Sequence, residues 1–207
     1  RLCAQAGPDD AVVVVDAGSA DATPDIVRRR AAADPRVRLL FAPGAYPGGG
    51  RNAGIAATNA PLIAQIDGGN LPNSVWLEEI LRPLLENRAD HVTGNSRVMP
   101  LVRRFRGREV DFGPVYQASL FRLACLRLPH DPDIDDENQA SSPCGGDSVA
   151  YSRELWEQAG GFPDWMRFGS DPQFVAKLKQ GSPRFAFAPR AVSWWQLGPG
   201  VGRVFER

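Results

Sequence analysis

The stretch "AVVVVDAGSADATPD", residues 11–25, constrains the fold more than any other part of the sequence. Its four consecutive valines predict a strand that is buried on both faces, as in a parallel sheet, and the run ends on Asp16. Thr23, Pro24 and Asp25 then offer an N-cap, a first helical residue and an acidic first turn. A buried strand that is followed at once by a capped helix predicts an α/β fold.

The same alternation continues through the first half of the chain. The segment "APGAYPGGG" is interpreted as the loop before the second helix, and Asn73 or Ser74 offers a cap to the third. Strands and helices that alternate with short connections predict a mainly parallel sheet with right-handed crossovers. Because ligands bind at the carboxyl ends of such strands, we expect Asp16 and Asp67 to face one cleft. The predicted strands span residues 11–15, 37–41 and 61–66, and the predicted helices span residues 23–33, 51–60 and 75–88.

The second half of the chain is less regular. A helix is expected over residues 115–128, and the polar stretch at 129–146 is interpreted as a loop over a site. Residues 1–6 have the pattern of a helix tail, which predicts that the intact protein has a further strand before Arg1. The other predicted strands span residues 91–99, 147–152, 184–189 and 191–195, and the other predicted helices span residues 153–160 and 170–181.

Composition is typical of a single globular domain of moderate size. The chain has 207 residues and a formal net charge of zero, so we expect no nucleic-acid partner. No apolar run approaches the roughly 20 residues that a membrane span needs. The three cysteines are far apart and odd in number, which favours a reducing compartment such as the cytoplasm. A local basic cluster is interpreted as a solvated loop and contains Arg103, Arg104, Arg106 and Arg108.

The turn after the first strand has features of a nucleotide pocket. The Asp16 carboxylate can accept hydrogen bonds from a base or a ribose, and the amides around Ser19 can donate them. A dinucleotide fingerprint requires three spaced glycines after the strand, whereas this turn contains only Gly18. Dinucleotide enzymes and methyltransferases are therefore weaker interpretations. Asp67 stands at a similar strand end, but Gly69 occupies the position where many metal sites have a second carboxylate.

Three motifs in order resemble glycosyltransferase family two, a group of inverting, nucleotide-sugar-dependent enzymes with the GT-A fold. "DAGSADAT" is similar to the family's "VDDGSTDGT", "RNAG" is similar to its "RNxG", and "DGG" replaces its "DxD". The later "GGF" and "SD" are similar to its "GGFxE" and "ED". The resemblance spans roughly residues 4–195, and the matching residues are Asp16, Gly18, Ser19, Asp21, Thr23, Arg51, Asn52, Gly54, Asp67, Gly160, Gly161, Phe162 and Asp171.

The resemblance implies a GT-A-like fold in one domain over residues 1–207. Residues 1–99 would bind the nucleotide sugar, and residues 100–207 would bind the acceptor. The implied reaction moves a sugar from a UDP- or GDP-linked donor to a hydroxyl group of a glycan or lipid-linked acceptor, in bacterial glycan or glycolipid synthesis. Such an enzyme would work in the cytoplasm, with peripheral association at the inner face of the membrane as an option.

The resemblance also implies roles for individual residues. Asp171 would be the catalytic base, although it also suits an N-cap, in which case Asp147 or Asp164 is the alternative base. Asp67 would hold Mg²⁺ or Mn²⁺ weakly and only with nucleotide bound, because one carboxylate cannot enclose a divalent ion. The implied nucleotide-sugar-binding residues are Asp16, Ser19, Arg51, Asn52, Asp67, Gly68 and Gly69.

Departures from the family pattern leave alternatives open. Gly69 replaces the second carboxylate, as in a bacterial subgroup with "TDAGCxP" at this place, and Ser170 replaces a glutamate. Trp194 and Trp195 lie near the position of a late histidine in many relatives. A degenerate relative that binds nucleotide or glycan without catalysis is one alternative, and a nucleotidyltransferase or methyltransferase is another. Trp165, like the other two tryptophans, is interpreted either as a sugar-stacking residue or as a packing residue.

Overall fold

The predicted alternation of strands and helices is present in the computed structural model, which describes residues 1–100, 102–111 and 146–195. In chain order the strands are β1 (Val12–Asp16), β2 (Val37–Phe41), β3 (Leu62–Ile66), β4 (Asn70–Pro72), β5 (His91–Val98), β6 (Val102–Phe105), β7 (Arg108–Asp111), β8 (Ser148–Ser152) and β9 (Phe185–Trp195). The helices are α1 (Thr23–Ala33), α2 (Pro47–Ala56), α3 (Trp76–Leu85), α4 (Arg153–Gln158) and α5 (Ser170–Lys179).

Strand β1 is built from the valine run and pairs with β2 in parallel, with Asp16 opposite Phe41. Helix α1 follows as predicted, but its start differs from the expected cap. The helix already includes Thr23, and the Thr23 N–H donates to the Asp21 carboxylate at 2.9 Å. The short Asp21 side chain therefore satisfies a free amide of the first turn, which is the role that was expected of Thr23.

The main sheet has five strands in the order β3–β8–β5–β9–β4 and is mixed. Strands β5 and β9 are parallel, whereas β8 runs antiparallel to both β3 and β5, and β4 runs antiparallel to β9. The α/β class is thus confirmed, but the expected mainly parallel pairing is corrected to a mixed one. Hydrophobic patterns report how deeply a strand is buried and not its direction. Strand β8 is buried over residues 148–151, as a parallel core strand would be.

Helix α2 begins earlier than predicted, at Pro47, so that part of the expected loop is helical. Proline suits the first turn of a helix because its missing N–H would have no partner there. The glycines that follow allow close packing. A Cβ added to Gly48 would lie 2.3 Å from the carbonyl oxygen of Pro163. The glycine-rich segment is therefore a helix start that touches the backbone before α5.

Helix α3 begins at Trp76, and neither expected cap forms, since no side chain accepts a hydrogen bond at its N-cap position. Asn73 instead donates to the carbonyl oxygen of Arg190 at 2.9 Å. This contact joins the segment before α3 to strand β9. The capping prediction for Asn73 or Ser74 is therefore wrong. The Asn73 side chain makes a hydrogen bond to a distant part of the chain and does not cap α3.

The two late strands predicted at 184–189 and 191–195 form the single strand β9, which contains a bulge. Its pairing with β5 shifts between Gly94, which lies opposite Ala188, and Asn95, which lies opposite Val192. Pro189 falls within this shift. A proline cannot donate to the ladder, so the irregularity accommodates it without ending the strand.

Four other predictions differ from the structure or lie outside the described residues. The basic cluster forms a hairpin of β6 and β7, and its turn has positive φ at Arg106 (50°) and Gly107 (80°), as two-residue hairpin turns require. A single 3₁₀ turn at Leu2–Ala4 stands where a helix tail was expected. The helix predicted at 115–128 and nearly all of the polar stretch at 129–146 lie outside the described residues.

Helices cover both faces of the main sheet, and strand β8 contributes side chains to the core on each face. Ala150 packs with Trp76 and Ile80 of α3 on one face. Val149 and Tyr151, which alternate with it, pack on the other face in a cluster with residues of α2 and α5. This second cluster lies beneath the candidate site, and its further buried members are Ile55, Phe162, Phe174 and Leu178.

Candidate active site

Arg51 of α2 joins residues that are remote in sequence. Its Nη2 donates to Asp67 Oδ1 at 2.9 Å, directly after strand β3. Its Nη1 forms an ion pair with Asp171 and donates to Ser170 Oγ at 3.3 Å, both at the start of α5. Two carboxylates and one guanidinium from three separate motifs therefore meet at one place. The sequence suggested Arg51, Asp67 and Asp171 as site residues but did not predict these contacts.

The Arg51 side chain is only 10% exposed and lies over the ring of Phe162, 5.5 Å from the ring centroid. Burial alone would lower the pKa of Arg51. The neighbouring carboxylates of Asp171 and Asp67 outweigh burial and raise the pKa on balance. The guanidinium is therefore a fixed positive charge, held between two acids on one side and an aromatic ring on the other.

Asp171 is the second residue of α5, and the N-cap position is Gly169, where no side chain makes a capping bond. The alternative role of Asp171 as an N-cap is therefore not supported. Burial raises the pKa of Asp171 to about 6, Arg51 opposes that rise, and the charges of Asp67 and Asp147 add to it. A carboxyl group that titrates near neutrality is suited to proton transfer.

The Asp171 carboxylate packs against the backbone of Gly146. A Cβ added to Gly146 would lie 2.3 Å from the carboxyl carbon of Asp171. No side chain fits at that distance, so glycine is required there unless the carboxylate moves. The position of Asp171 is thus defined by Arg51 on one side and by backbone on another.

Asp147 is a third carboxylate at the site. The pairing of β3 with β8 ends with Ile66 opposite Ser148, and the Asp67 N–H donates to the Asp147 carbonyl oxygen at 3.1 Å. Continuing the register by one residue sets Asp147 opposite Asp67, with both side chains on the same face. Burial raises the pKa of Asp147, and the charge of Asp67 adds to the rise.

The sequence suggested Asp147 only as an alternative base and gave no sign of its pairing with Asp67. The antiparallel register of β3 and β8 brings the two together, and a sequence does not reveal strand direction. Asn70 lies beside the pair and donates to the Asp147 carbonyl at 3.2 Å. Gly69 removes the second carboxylate of the usual motif, but the Asp147 carboxylate, which directly precedes β8, lies nearby.

Asp16 is buried at the end of β1. Its Oδ1 accepts hydrogen bonds from the N–H groups of Gly18 and Ser19, both at 2.7 Å. The bond from Ser19 and then the bond from Gly18 lower the pKa of Asp16, so the group is a carboxylate. The turn amides expected to face a ligand thus bind Asp16 itself. Its Oδ2 is buried and has no hydrogen-bond partner in the described part of the chain.

Asn52 supports the site from behind. Its Oδ1 accepts from the Phe162 N–H at 2.9 Å and from the Trp156 Nε1 at 3.1 Å, and its Nδ2 donates to the Phe162 carbonyl at 2.8 Å. These bonds hold the ring on which Arg51 lies. Both polar atoms of the Asn52 side chain are thus bound within the protein, and the predicted contact with a nucleotide sugar stays a prediction.

Gly68 and Gly69 form the exposed turn between β3 and β4. Gly69 has φ of 89°, which favours glycine, and a Cβ added to either residue would meet no atom within 4 Å. The space beside this turn is therefore open. A close approach of a sugar to these glycines remains a prediction.

The three tryptophans considered as sugar-stacking residues differ in exposure. Trp165 is 75% exposed and Trp195 is 38% exposed. Trp194 is partly buried, and the guanidinium of Arg97 lies 5.8 Å from its ring centroid. The alternative base Asp164 is exposed on the loop before α5.

Known proteins are similar to this chain over most of its length. The chain is 34% identical over 207 residues to the succinoglycan biosynthesis protein ExoO of Rhizobium meliloti (strain 1021), covering 98% of the chain and 57% of ExoO. The chain therefore spans little more than half the length of this curated relative.

Similar solved structures share the fold. One is S. aureus TarS 1–349 in complex with UDP-GlcNAc, with a TM-score of 0.67 and 16% identity over 96% of the chain and 53% of TarS 1–349. Another is the mannosyltransferase PcManGT from Pyrobaculum calidifontis in complex with GDP-Man and Mn²⁺, with a TM-score of 0.64 and 20% identity over 99% of the chain and 53% of PcManGT.

The sequence model of Glycosyl transferase family 2 matches residues 1–155, which include β1 to β8 and the strand-end acids Asp16, Asp67 and Asp147. With the similarity to ExoO over nearly the whole chain, this match means that the chain belongs to Glycosyl transferase family 2.

Proposed function

We propose that this protein is an inverting glycosyltransferase of bacterial glycan synthesis. It would move a sugar from a nucleoside diphosphate sugar to a hydroxyl group of a glycan or lipid-linked acceptor. The observation that carries this proposal is the Arg51 bridge, which brings the strand-end carboxylate of Asp67 beside Asp171, whose pKa is raised to about 6. The family and the ExoO relative support the same reaction class.

Asp171 would act as the general base. As the acceptor oxygen forms its bond to the anomeric carbon, the carboxylate takes the hydroxyl proton, and the bond to the diphosphate breaks on the opposite side. Inversion follows from this in-line geometry. The raised pKa of Asp171 favours proton capture near neutral pH, because a base is most effective when its pKa lies close to the working pH.

The donor would bind along the carboxyl end of β1 and the turn after β3. The buried Oδ2 of Asp16 lacks a partner among the described residues, and a donor group of the nucleoside would supply one. Arg51 offers charge to the diphosphate, and the open turn at Gly68 and Gly69 leaves room for the sugar. Ser19 would contact the nucleotide through its hydroxyl, because its amide is bound to Asp16. The hydroxyl also interacts with Asp16 and helps to lower the pKa of that carboxylate, so it would be shared with the nucleotide.

A divalent ion would be held by Asp67, with Asp147 opposite it. Carboxylate oxygens suit Mg²⁺ and Mn²⁺. Like charges opposite each other on paired strands destabilise a sheet, and a bound cation relieves that repulsion. The described residues contain no group of three or more His, Cys, Asp or Glu arranged for a metal ion. Binding should therefore be weak until the diphosphate adds its oxygens, and the ion would then neutralise the leaving group.

The nucleotide is proposed to be uridine or guanosine diphosphate, the two kinds bound in the TarS and PcManGT structures. Gly69 in place of an acid would put the chain in the subgroup with a single carboxylate in this motif. No helix among the described residues has the length and apolar character to cross a bilayer. We propose a cytoplasmic enzyme that acts at the inner face of the membrane.

A catalytically degenerate relative is the second candidate, because Gly69 and Ser170 depart from the family pattern and Arg51 occupies both carboxylates. Family membership sets aside the methyltransferase and nucleotidyltransferase interpretations. A thermal-shift panel of UDP and GDP sugars with and without Mn²⁺ tests the proposal. We expect one nucleotide class to stabilise the protein by about 2.7 kcal/mol at 100 times its Kd, and S-adenosylmethionine to have no effect.

No stabilisation by any nucleotide sugar would contradict the proposed function. Stabilisation without slow hydrolysis or transfer of the bound sugar would instead support the degenerate relative. Hydrolysis is the useful readout here because water can replace the acceptor, so that turnover is measurable before the acceptor is identified.

A further inference from the structure

Residues 165–169 form an exposed aromatic loop directly before helix α5. Trp165 is 75% exposed and Phe168 is 62% exposed. Single exposed apolar side chains are common on folded proteins and need no explanation. Here two large aromatic side chains, three residues apart on one short loop, concentrate exposed apolar surface at the start of helix α5. Such a concentration suggests a ligand or partner more strongly than a single exposed side chain does.

Both ends of the aromatic loop are fixed to helix α2. The carbonyl oxygen of Pro163 lies so close to Gly48 that a Cβ there would be 2.3 Å away. At the other end, Ser170 Oγ accepts a hydrogen bond from Arg51 at 3.3 Å, and Asp171 pairs with the same guanidinium. The loop therefore holds its aromatic residues at a defined place beside the proposed base.

The loop combines aromatic faces with hydrogen-bond donors. The Arg167 guanidinium lies 5.5 Å from the Phe168 ring centroid, so its position is restrained. Gly169 has φ of 80° and turns the chain into α5. Aromatic rings stack on the apolar faces of sugars, while guanidinium groups bind their hydroxyls. This chemistry fits a carbohydrate.

We propose that the aromatic loop is an acceptor subsite, in which Trp165 stacks on a sugar ring of a glycan whose reacting hydroxyl reaches Asp171. The inference rests on the proposed glycosyltransferase function and names its acceptor class. A membrane surface is the other occupant to consider. Anionic lipid attracts a surplus of basic residues, whereas this loop has one basic residue, Arg167, and the exposed acid Asp164 directly precedes the loop.

The test uses binding and not transfer. Saturation-transfer NMR and calorimetry would measure binding of gluco-oligosaccharides of two to six residues, in the presence of UDP or GDP. Glucose-based chains are the probe because their equatorial hydroxyls leave flat apolar ring faces. Trp165→Ala should weaken binding by about tenfold or more, Trp165→Phe should retain part of it, and Phe168→Ala should lose less.

Leu85→Ala is the matched control, because Leu85 is 70% exposed at the end of α3 and away from the loop. It should bind oligosaccharide as the unmodified protein does. Melting temperatures and nucleotide affinity should be unchanged in all of these variants, which separates this test from that of the proposed function.

Three results would overturn the subsite. The first is oligosaccharide binding that Trp165→Ala leaves intact, and the second is the absence of binding by the unmodified protein across the panel. The third is loss of binding to vesicles of phosphatidylglycerol and phosphatidylethanolamine in Trp165→Ala with glycan binding unaffected, which would assign the loop to the membrane. Failure of nucleotide binding would count against the proposed function and not against the loop.

Discussion

Arg51 forms an ion pair with Asp171, a residue 120 positions further along the chain, while its other terminal nitrogen binds Asp67. One guanidinium therefore lies between the acid proposed to bind the donor side and the acid proposed to take the proton. Its charge opposes the effect of burial on Asp171. If the diphosphate draws Arg51 away, the pKa of Asp171 should rise further, so donor binding and base strength are coupled.

Asp171→Asn tests the assignment of the base. Asparagine has nearly the same shape but cannot accept the proton, so kcat for transfer or hydrolysis should fall by at least about 10². Nucleotide-sugar binding should change little, as measured by thermal shift. Asp164→Asn, on the exposed loop before α5, is the matched control and should be nearly fully active. Near-normal turnover by Asp171→Asn would redirect attention to Asp147.

The pH dependence follows from the raised pKa of Asp171. The base must be deprotonated, so kcat/KM should fall about tenfold per pH unit below about 6 and be level above it. Stability should change in the opposite direction. Between pH 3.8, the ordinary pKa of an aspartate, and about pH 6, the folded state binds more protons than the unfolded state. Ionisation of Asp171 therefore destabilises the fold as the pH rises through this range.

Melting curves of the unmodified protein and Asp171→Asn at pH 4 and pH 7 provide the measurement. The stability of the unmodified protein relative to the variant should be greater at pH 4. An equal difference at both values would mean that the pKa of Asp171 is not raised by folding.

Replacing Arg51 by glutamine should move the acid limb of the kcat/KM profile to higher pH, because Arg51 holds the pKa of Asp171 down. Arg51→Lys keeps the charge but not the forked geometry, so it should shift the limb less. The glutamine variant also leaves two acids without their cation and should be less stable. A profile that does not move in Arg51→Gln would show that Arg51 does not act on the base.

Asp147→Asn tests whether the cross-strand acid helps Asp67 to hold a divalent ion. With UDP or GDP present, Mn²⁺ affinity measured by electron paramagnetic resonance should fall by about tenfold or more, and Asp67→Asn should lose more. Without nucleotide, binding should be weak in every form. Asp164→Asn again serves as the control. Tight Mn²⁺ binding to the nucleotide-free protein that survives Asp67→Ala would contradict the assignment of Asp67.

Asn52→Ala tests the support behind Arg51. It leaves the Phe162 N–H and the Trp156 Nε1 without their acceptor, at a cost of about 1–3 kcal/mol for each group that stays unpaired. Denaturant unfolding should show a clear loss of stability. Asn95→Ala, which removes two exposed hydrogen bonds, one to the Pro189 carbonyl and one from Arg97, should cost much less. Equal losses would mean that Asn52 is not a structural support.

Local features of the fold were predictable where a short sequence pattern is compatible with only one kind of structure. The valine run ending on Asp16 forms strand β1, which pairs in parallel with β2 in a two-stranded sheet. Asp67 directly follows strand β3, as predicted. Arg51 and Asp171 could be anticipated from the family resemblance. Each of these predictions rests on a short stretch of sequence and does not require knowledge of distant contacts.

Features that depend on long-range pairing were not predictable. Asp147 gains its place opposite Asp67 only because β8 enters the sheet antiparallel to β3. The raised pKa of Asp171 depends on burial and on charges from separate strands. Asn73 was a plausible helix cap by local sequence rules, but its side chain donates a hydrogen bond to the carbonyl oxygen of Arg190. Tertiary contacts decided these outcomes.

Because Gly146 contacts the Asp171 carboxylate, adding one methyl group at position 146 would test how closely the base must be placed. Gly146→Ala would displace the Asp171 carboxylate from the Cβ position without altering any ionisable group. The resulting loss of turnover would combine the displacement of the base with the change in its pKa as its distance from Arg51 changes, and the acid limb of the pH profile would separate the two. In a saturation library selected for activity, position 146 should consequently accept only glycine, although glycine has no side chain that could take part in the chemistry.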